Sequence, residues 1–218
     1  MTMTNKEFFE QRGYMVLRNA FPAEFMRFLR LYLDVHIDRA IYRKSNEFGY
    51  DDEWDGSFED DYISNSYFCH YGSTISDTMM LFVRDRLTSE LGLGLNPTYS
   101  FLRVYKQGNV LPPHCDRASC EISVTAPIFF DTSNLHHEYV WPIYFVDYSG
   151  ETVAVELLPG DLVVYRGIEL KHWRDEFIGK YQTQLMMHYT DSSGPYRDLI
   201  FDLRTQLATK LVNYFQKE

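Results

Sequence analysis

The sequence predicts an α+β fold, mainly β, with helices first, a β-sandwich or barrel second and one helix last. Three observations predict it. Apolar residues recur at helical spacing in two stretches before residue 92. From residue 98 the pattern changes to short apolar runs separated by turn residues. Aromatics make up 17% of the chain, with 17 Tyr and 16 Phe, which suits half-buried strand positions and pockets with hydroxyl-tipped walls.

Residues 5–11 read as a short helix leading to Gly13, and Tyr14–Leu17 as a short strand. Pro22 then opens a helix at its first turn, where a missing N–H costs nothing. Phe25, Phe28, Leu29, Tyr32 and Leu33 mark its apolar positions. Residues 43–75 are polar, acidic and aromatic with weak periodicity, and read either as a lid or as an irregular surface excursion. A second helix covers 76–91 through Met79, Met80, Phe82, Val83 and Leu87, and Gly92–Pro97 stops it. Strands follow at about 98–106, 120–130, 139–147, 152–158, 161–167, 170–174 and 181–190. Gly108, Asn134, Gly150, Gly160 and Gly179 punctuate them. Asp198–Phe215 returns to helical spacing through Leu199, Leu203, Leu207 and Leu211. The expected organisation is one domain over 1–218. It comprises a helical lead-in (1–97, with a candidate lid at 43–75), a β-core (98–190) and a C-terminal helix (191–218).

The net charge of −10 argues against nucleic-acid or anionic-membrane binding, both of which need a basic patch. Asp51, Asp52, Glu53, Asp55, Glu59, Asp60 and Asp61 crowd together without the stride or glycine turn of a calcium loop, and read as a solvated loop. The cysteines, Cys69, Cys115 and Cys120, are odd in number, and the N-terminus lacks an apolar signal segment. No apolar stretch is long enough to span a membrane. A cytoplasmic setting is expected.

Chemistry concentrates at His114-Cys115-Asp116, after a strand that ends near Tyr105 and a loop holding Pro112 and Pro113. In extended backbone, positions i and i+2 point to one side, so His114 and Asp116 can converge while Cys115 points away. His172 follows the Pro159-Gly160-Asp161 turn and the strand after it. Two histidines and one carboxylate leave three positions of an octahedral ion open, the arrangement suited to non-haem iron(II) oxygen chemistry. His136-His137-Glu138 is a second local cluster and reads as loop. His36 reads as structural, His188 as core or as support for the site, and His70 as a candidate substrate contact if 43–75 is a lid. Arg117 reads as exposed, or as a contact for an anionic substrate. No G-x-S-x-G element, phosphate loop or paired-cysteine zinc site is present.

On these residues the chain resembles the iron(II)/2-oxoglutarate-dependent oxygenases, over roughly residues 100–190. The likeness lies in His114, Asp116 and His172, in Pro159-Gly160-Asp161, Tyr165 and Gly167, in His172-Trp173-Arg174, and in Gln184 with His188-Tyr189. The lead-in Gly13–Pro22 with its helix is similar as well. The resemblance implies a double-stranded β-helix, or jelly roll, with Fe(II), 2-oxoglutarate and O2 as cofactor and co-substrates. It implies His114, Asp116 and His172 as metal ligands and a hydroxylase acting on a small-molecule or amino-acid-like substrate. It also implies Tyr105 as a contact to the 2-oxoglutarate carboxylate, although an ordinary strand tyrosine reads equally well. One departure stands out. Many members carry an Arg or Lys further beyond the distal histidine to grip the far carboxylate. Here Arg174 and then Lys180 are the candidates. A non-catalytic jelly-roll binding module and a cupin-like metal enzyme without a keto acid are the alternatives.

Overall fold

Alternation along the long strands decides the architecture. The structure, a computed structural model, describes residues 3–204. In β3 (Leu95–Lys106), Leu102 and Val104 join the core under the helices, whereas Tyr99, Phe101, Arg103 and Tyr105 line a cavity on the opposite face. β5 (Ile122–Asp131) and β10 (Tyr181–Asp191) behave alike. Val124, Ala126, Leu185 and Met187 meet the helices, while Thr125, Gln184, Met186 and His188 face the cavity. A period of two in the sequence has thus become two chemically distinct faces of one sheet.

That sheet has six strands in the order β1-β8-β5-β10-β3-β2, with β1 at Tyr14–Leu17, β2 at Phe68–Tyr71 and β8 at Leu162–Arg166. A second sheet has the order β4-β9-β6-β7, from Leu111–His114, His172–Arg174, Ile143–Val146 and Thr152–Val155 respectively. All pairings are antiparallel. The two sheets face each other in the jelly-roll manner the resemblance implied. Strand β8, with Leu162 and Val164 under the helices and Val163 and Tyr165 packed toward the second sheet, is apolar on both sides for that reason.

Helices cover the outer face of the larger sheet: α1 (Asn5–Arg12), α2 (Ala23–Ser45) and α4 (Thr74–Leu91). Met26, Leu29 and Leu33 of α2 and Met79, Met80, Val83 and Leu87 of α4 form that contact. Gly92 ends α4 in the left-handed conformation (φ 65°), its N–H bonded to the Thr88 carbonyl.

Three expectations need correction. Residues 43–75 are not one irregular stretch. They contain the end of α2, a short helix α3 (Asp52–Asp55) and strand β2. Nor is the acidic run simply solvated: Asp55 is buried against Arg43 (2.6 Å), and Asp60 pairs with Arg103. Pro112 and Pro113 sit in β4 rather than in a loop. An edge strand accommodates them because prolines cannot donate to a ladder. At the C-terminus, Ile200–Leu203 forms a 3-10 turn, and the rest of the expected helix lies outside the described residues.

Candidate metal centre

β4 and β9 pair at His114 and His172, so the register of the smaller sheet sets the two histidines opposite each other. Asp116 follows two residues after His114, with its N–H bonded to the Gly167 carbonyl at 2.8 Å. Each histidine is oriented by its own backbone. His114 Nδ1 lies 2.8 Å from the Pro112 carbonyl oxygen, and His172 Nδ1 lies 2.9 Å from that of Leu170. A carbonyl only accepts, so both Nδ1 atoms carry the proton and both Nε2 lone pairs are free. Those Nε2 atoms point at Asp116 Oδ1, at 3.5 Å and 3.6 Å. First-row metals bind imidazole nitrogen at about 2.1 Å, so ligands at right angles stand about 3 Å apart. The three residues therefore fit one ion with a small inward movement, and their donor set suits a non-haem iron site.

Burial and the neighbouring groups act on all three. Burial works to raise the Asp116 carboxyl, but the facing His114 and His172 rings and the Ser123 hydroxyl outweigh it and hold it below the usual range. Burial outweighs the pull of Asp116 and lowers His172, which favours its neutral form. Burial also acts on His114, but the facing Asp116 carboxylate and the Pro112 carbonyl prevail and raise it.

The triad opens into a cavity of about 350 Å³. Beyond His172, Arg174 lies on the same face of β9 and lines the same cavity. Arg174 is 2% exposed. Nη1 donates to the Trp141 carbonyl (2.8 Å). With the Gln184 amide turned so that its oxygen faces the arginine, that oxygen accepts from Nη2 (3.3 Å) and from Thr125 Oγ1 (2.6 Å). These are neutral acceptors. Among the described residues no carboxylate pairs with Arg174, and burial draws it down to about 10. Tyr105 packs edge-on against Trp141, and its hydroxyl accepts from Arg103 (3.1 Å).

Lys180 does not join this group. It is exposed and donates to Ser133 Oγ (2.8 Å), because it sits on the turn into β10 rather than on an inward position. His136 and His137 are exposed in a loop, and His70 meets His36 (3.2 Å) beneath α2, away from the cavity. Asp161 of the P-G-D turn binds Arg18 and the Asn19 N–H, a structural task. Sequence reasoning missed several lining residues. Arg103 was findable, since it shares strand parity with Tyr105. Tyr62, whose ring lies over that of His114 (centroids 5.3 Å apart), comes from the 43–75 segment and carries no local signal. Ser123 and Thr125 lie on β5, whose partners are set only by sheet register.

No family model matches the chain, and no curated protein matches its sequence. Solved structures do match. A prolyl-4-hydroxylase from Pseudomonas putida superposes with TM-score 0.60 at 16% identity, covering 84% of this chain and 95% of that one. HygX from Streptomyces hygroscopicus, with nickel and 2-oxoglutarate bound, gives 0.63 at 10% identity, covering 88% of each chain. EctD from S. alaskensis gives 0.57 at 15% identity, covering 85% of this chain and 75% of that one. At such identities the likeness is one of fold. The chain has the double-stranded β-helix of the 2-oxoglutarate/iron(II) oxygenases.

Proposed function

We propose that this protein is an iron(II)- and 2-oxoglutarate-dependent oxygenase that hydroxylates a C–H bond of a small molecule, with His114, Asp116 and His172 as metal ligands. One observation carries the reading: a buried arginine, with no acidic partner among the described residues, stands two residues along the strand from a metal-type histidine. Two strand residues span about 7 Å, the scale of a five-carbon diacid. A buried cation without a counter-charge is costly, and an incoming carboxylate would relieve that cost with a paired, bidentate contact.

When bound, iron and 2-oxoglutarate supply oxidative decarboxylation to succinate and carbon dioxide, coupled to oxidation of the substrate by dioxygen. The chain's own residues do the rest. The two histidines present unprotonated Nε2 atoms, and Asp116 supplies the negative charge. Arg174, with Gln184 and Thr125 setting its orientation, receives the far carboxylate; Tyr105 lines the same end. Tyr165, Phe145 and Trp141 are buried around this end and exclude water. Tyr62, Tyr99 and Phe101 face the remaining space, which is of small-ligand size. A small-molecule substrate also accords with a structure of HygX that contains hygromycin B and one of EctD that contains 5-hydroxyectoine. No helix among the described residues is long and apolar enough to cross a membrane.

The test is anaerobic titration of iron-loaded protein with 2-oxoglutarate, followed by the visible charge-transfer band, and then succinate formation on admitting oxygen. The band should appear in the wild type and vanish with the metal in His172→Ala. Iron-loaded protein that never binds 2-oxoglutarate overturns the proposal and favours a cupin-like or non-catalytic reading.

A further inference from the structure

The same carboxylate belongs to a second group of side chains. Asp116 Oδ1 faces the two histidines, and Oδ2 accepts from Ser123 Oγ at 2.7 Å. Ser123 is wholly buried on β5 and has two further neighbours, His188 Nδ1 at 2.9 Å and the Cys120 carbonyl at 3.2 Å. A hydroxyl has one proton. The carboxylate and the carbonyl only accept, so the proton goes toward them, and the shortest contact is to Asp116. His188 Nδ1 must then be an N–H that donates to Ser123. A directed chain results: His188 Nδ1–H to Ser123 Oγ–H to Asp116 Oδ2.

Gly167 closes this arrangement from the other side. A Cβ there would lie 2.4 Å from Asp116 Oδ2, 2.5 Å from Ser123 Oγ and 2.3 Å from the Cys120 carbonyl oxygen. The carboxylate is thus held between a hydroxyl and a backbone that approaches because it has no side chain. Oδ2 is tied to Ser123 while Oδ1 faces the histidines.

We infer that Ser123 and His188 are positioning residues that hold Asp116 to one-oxygen coordination, keeping three sites on the metal open for co-substrate and oxygen. The inference rests on the functional reading above. Such outer partners fix ligand orientation in metal sites generally, and removing them costs about 10–100-fold in affinity or activity. A rival use of these residues exists, because Asp116, Cys120 and His188 also lie close enough to share an ion. The geometry disfavours it at the cysteine: Cys120 Sγ meets the Tyr99 hydroxyl at 3.1 Å, and burial pushes the thiol up to about 12, away from the thiolate that a metal ligand needs.

The test uses Co(II), read by its d–d absorption, and anaerobic Fe(II) with 2-oxoglutarate, read by the charge-transfer band. Ser123→Ala should weaken Co(II) binding about 10–100-fold and diminish the 2-oxoglutarate band, while Ser123→Thr, which keeps a hydroxyl, retains both. His188→Leu should weaken both, and His188→Asn, which offers an N–H near the Nδ1 position, should restore them. The histidine pair decides the matter should Ser123→Ala fail to fold. Ser123→Ala or His188→Leu binding both probes like wild type overturns the inference alone, as does an intense sulfur-to-cobalt band from Cys120. A wild-type chain that takes up neither metal overturns the functional reading and this inference with it.

Discussion

Three arginines line one cavity, and two of them differ from the third. Arg103 is clamped by Asp60, with Nε at 2.6 Å from Oδ2 and Nη2 at 3.2 Å from Oδ1. Arg117 is clamped by Asp202, which also accepts from Ser119 Oγ and the Tyr71 hydroxyl. Among the described residues, Arg174 has only neutral acceptors. The difference separates architecture from function. The two clamped cations are already neutralised and tie outlying segments, residues 56–67 and Ile200–Leu203, onto the barrel. Arg174 is free to meet a carboxylate that arrives.

Substitutions can break that contrast. The largest effect falls on the Asp60–Arg103 pair, whose side chains are 3% and 9% exposed. Asp60→Asn leaves a buried guanidinium unpaired and should cost about 3–5 kcal/mol of stability by denaturant unfolding. Its pH dependence follows. Burial works to raise the Asp60 carboxyl, but the Arg103 bond and charge outweigh it, so the folded state holds it below its unfolded value of about 3.9. The stabilisation is therefore present above about pH 4 and is lost as pH falls through the folded value. Unfolding of wild type and Asp60→Asn across this acid range should show the gap between them narrowing.

Arg174→Met should behave in the opposite sense. It removes a buried cation that no carboxylate among the described residues neutralises, so the melting temperature of the unliganded protein should stay level or rise. 2-Oxoglutarate affinity should fall about a hundredfold, about 3 kcal/mol, by calorimetric titration, with metal uptake unchanged. A fall in stability together with unchanged 2-oxoglutarate affinity would make Arg174 another clamp. The smallest effect is expected at Asp202→Asn, because Arg117 is 53% exposed, so solvent screens the pair, and an Asn oxygen can still accept from Ser119 and Tyr71; the cost should be about 1 kcal/mol. Thermal melting of that variant sharpens the ranking of the two clamps.

The fold was legible wherever one physical rule spoke alone. Short apolar runs bounded by turn residues marked β3, β5, β8 and β10, and helical spacing marked α2 and α4, since burial leaves those imprints. Strand β2 was missed because Phe68–Tyr71 lies in an acidic, aromatic stretch and its ladder partner, β3, is distant in sequence. For the site, the H-x-D element and His172 stood out as residue types with chemistry in their spacing. Arg174 was readable by parity with His172. Lys180 was misplaced because proximity in sequence said nothing of which way a turn residue faces. Ser123 and His188 are brought together by the β5–β10 register, where they are direct partners, and that register appears only once the sheet is assembled.

Gly167 changes how a mutational survey of this chain would look. The position has no group that could bind, ionise or react, yet any side chain there would collide with a metal-type ligand, its supporting hydroxyl and a backbone carbonyl at once. An inactivating change at Gly167 would resemble a folding defect on inspection of residue chemistry alone. The molecule has put one of its least replaceable atoms, a glycine hydrogen, where a catalogue of functional groups would not look.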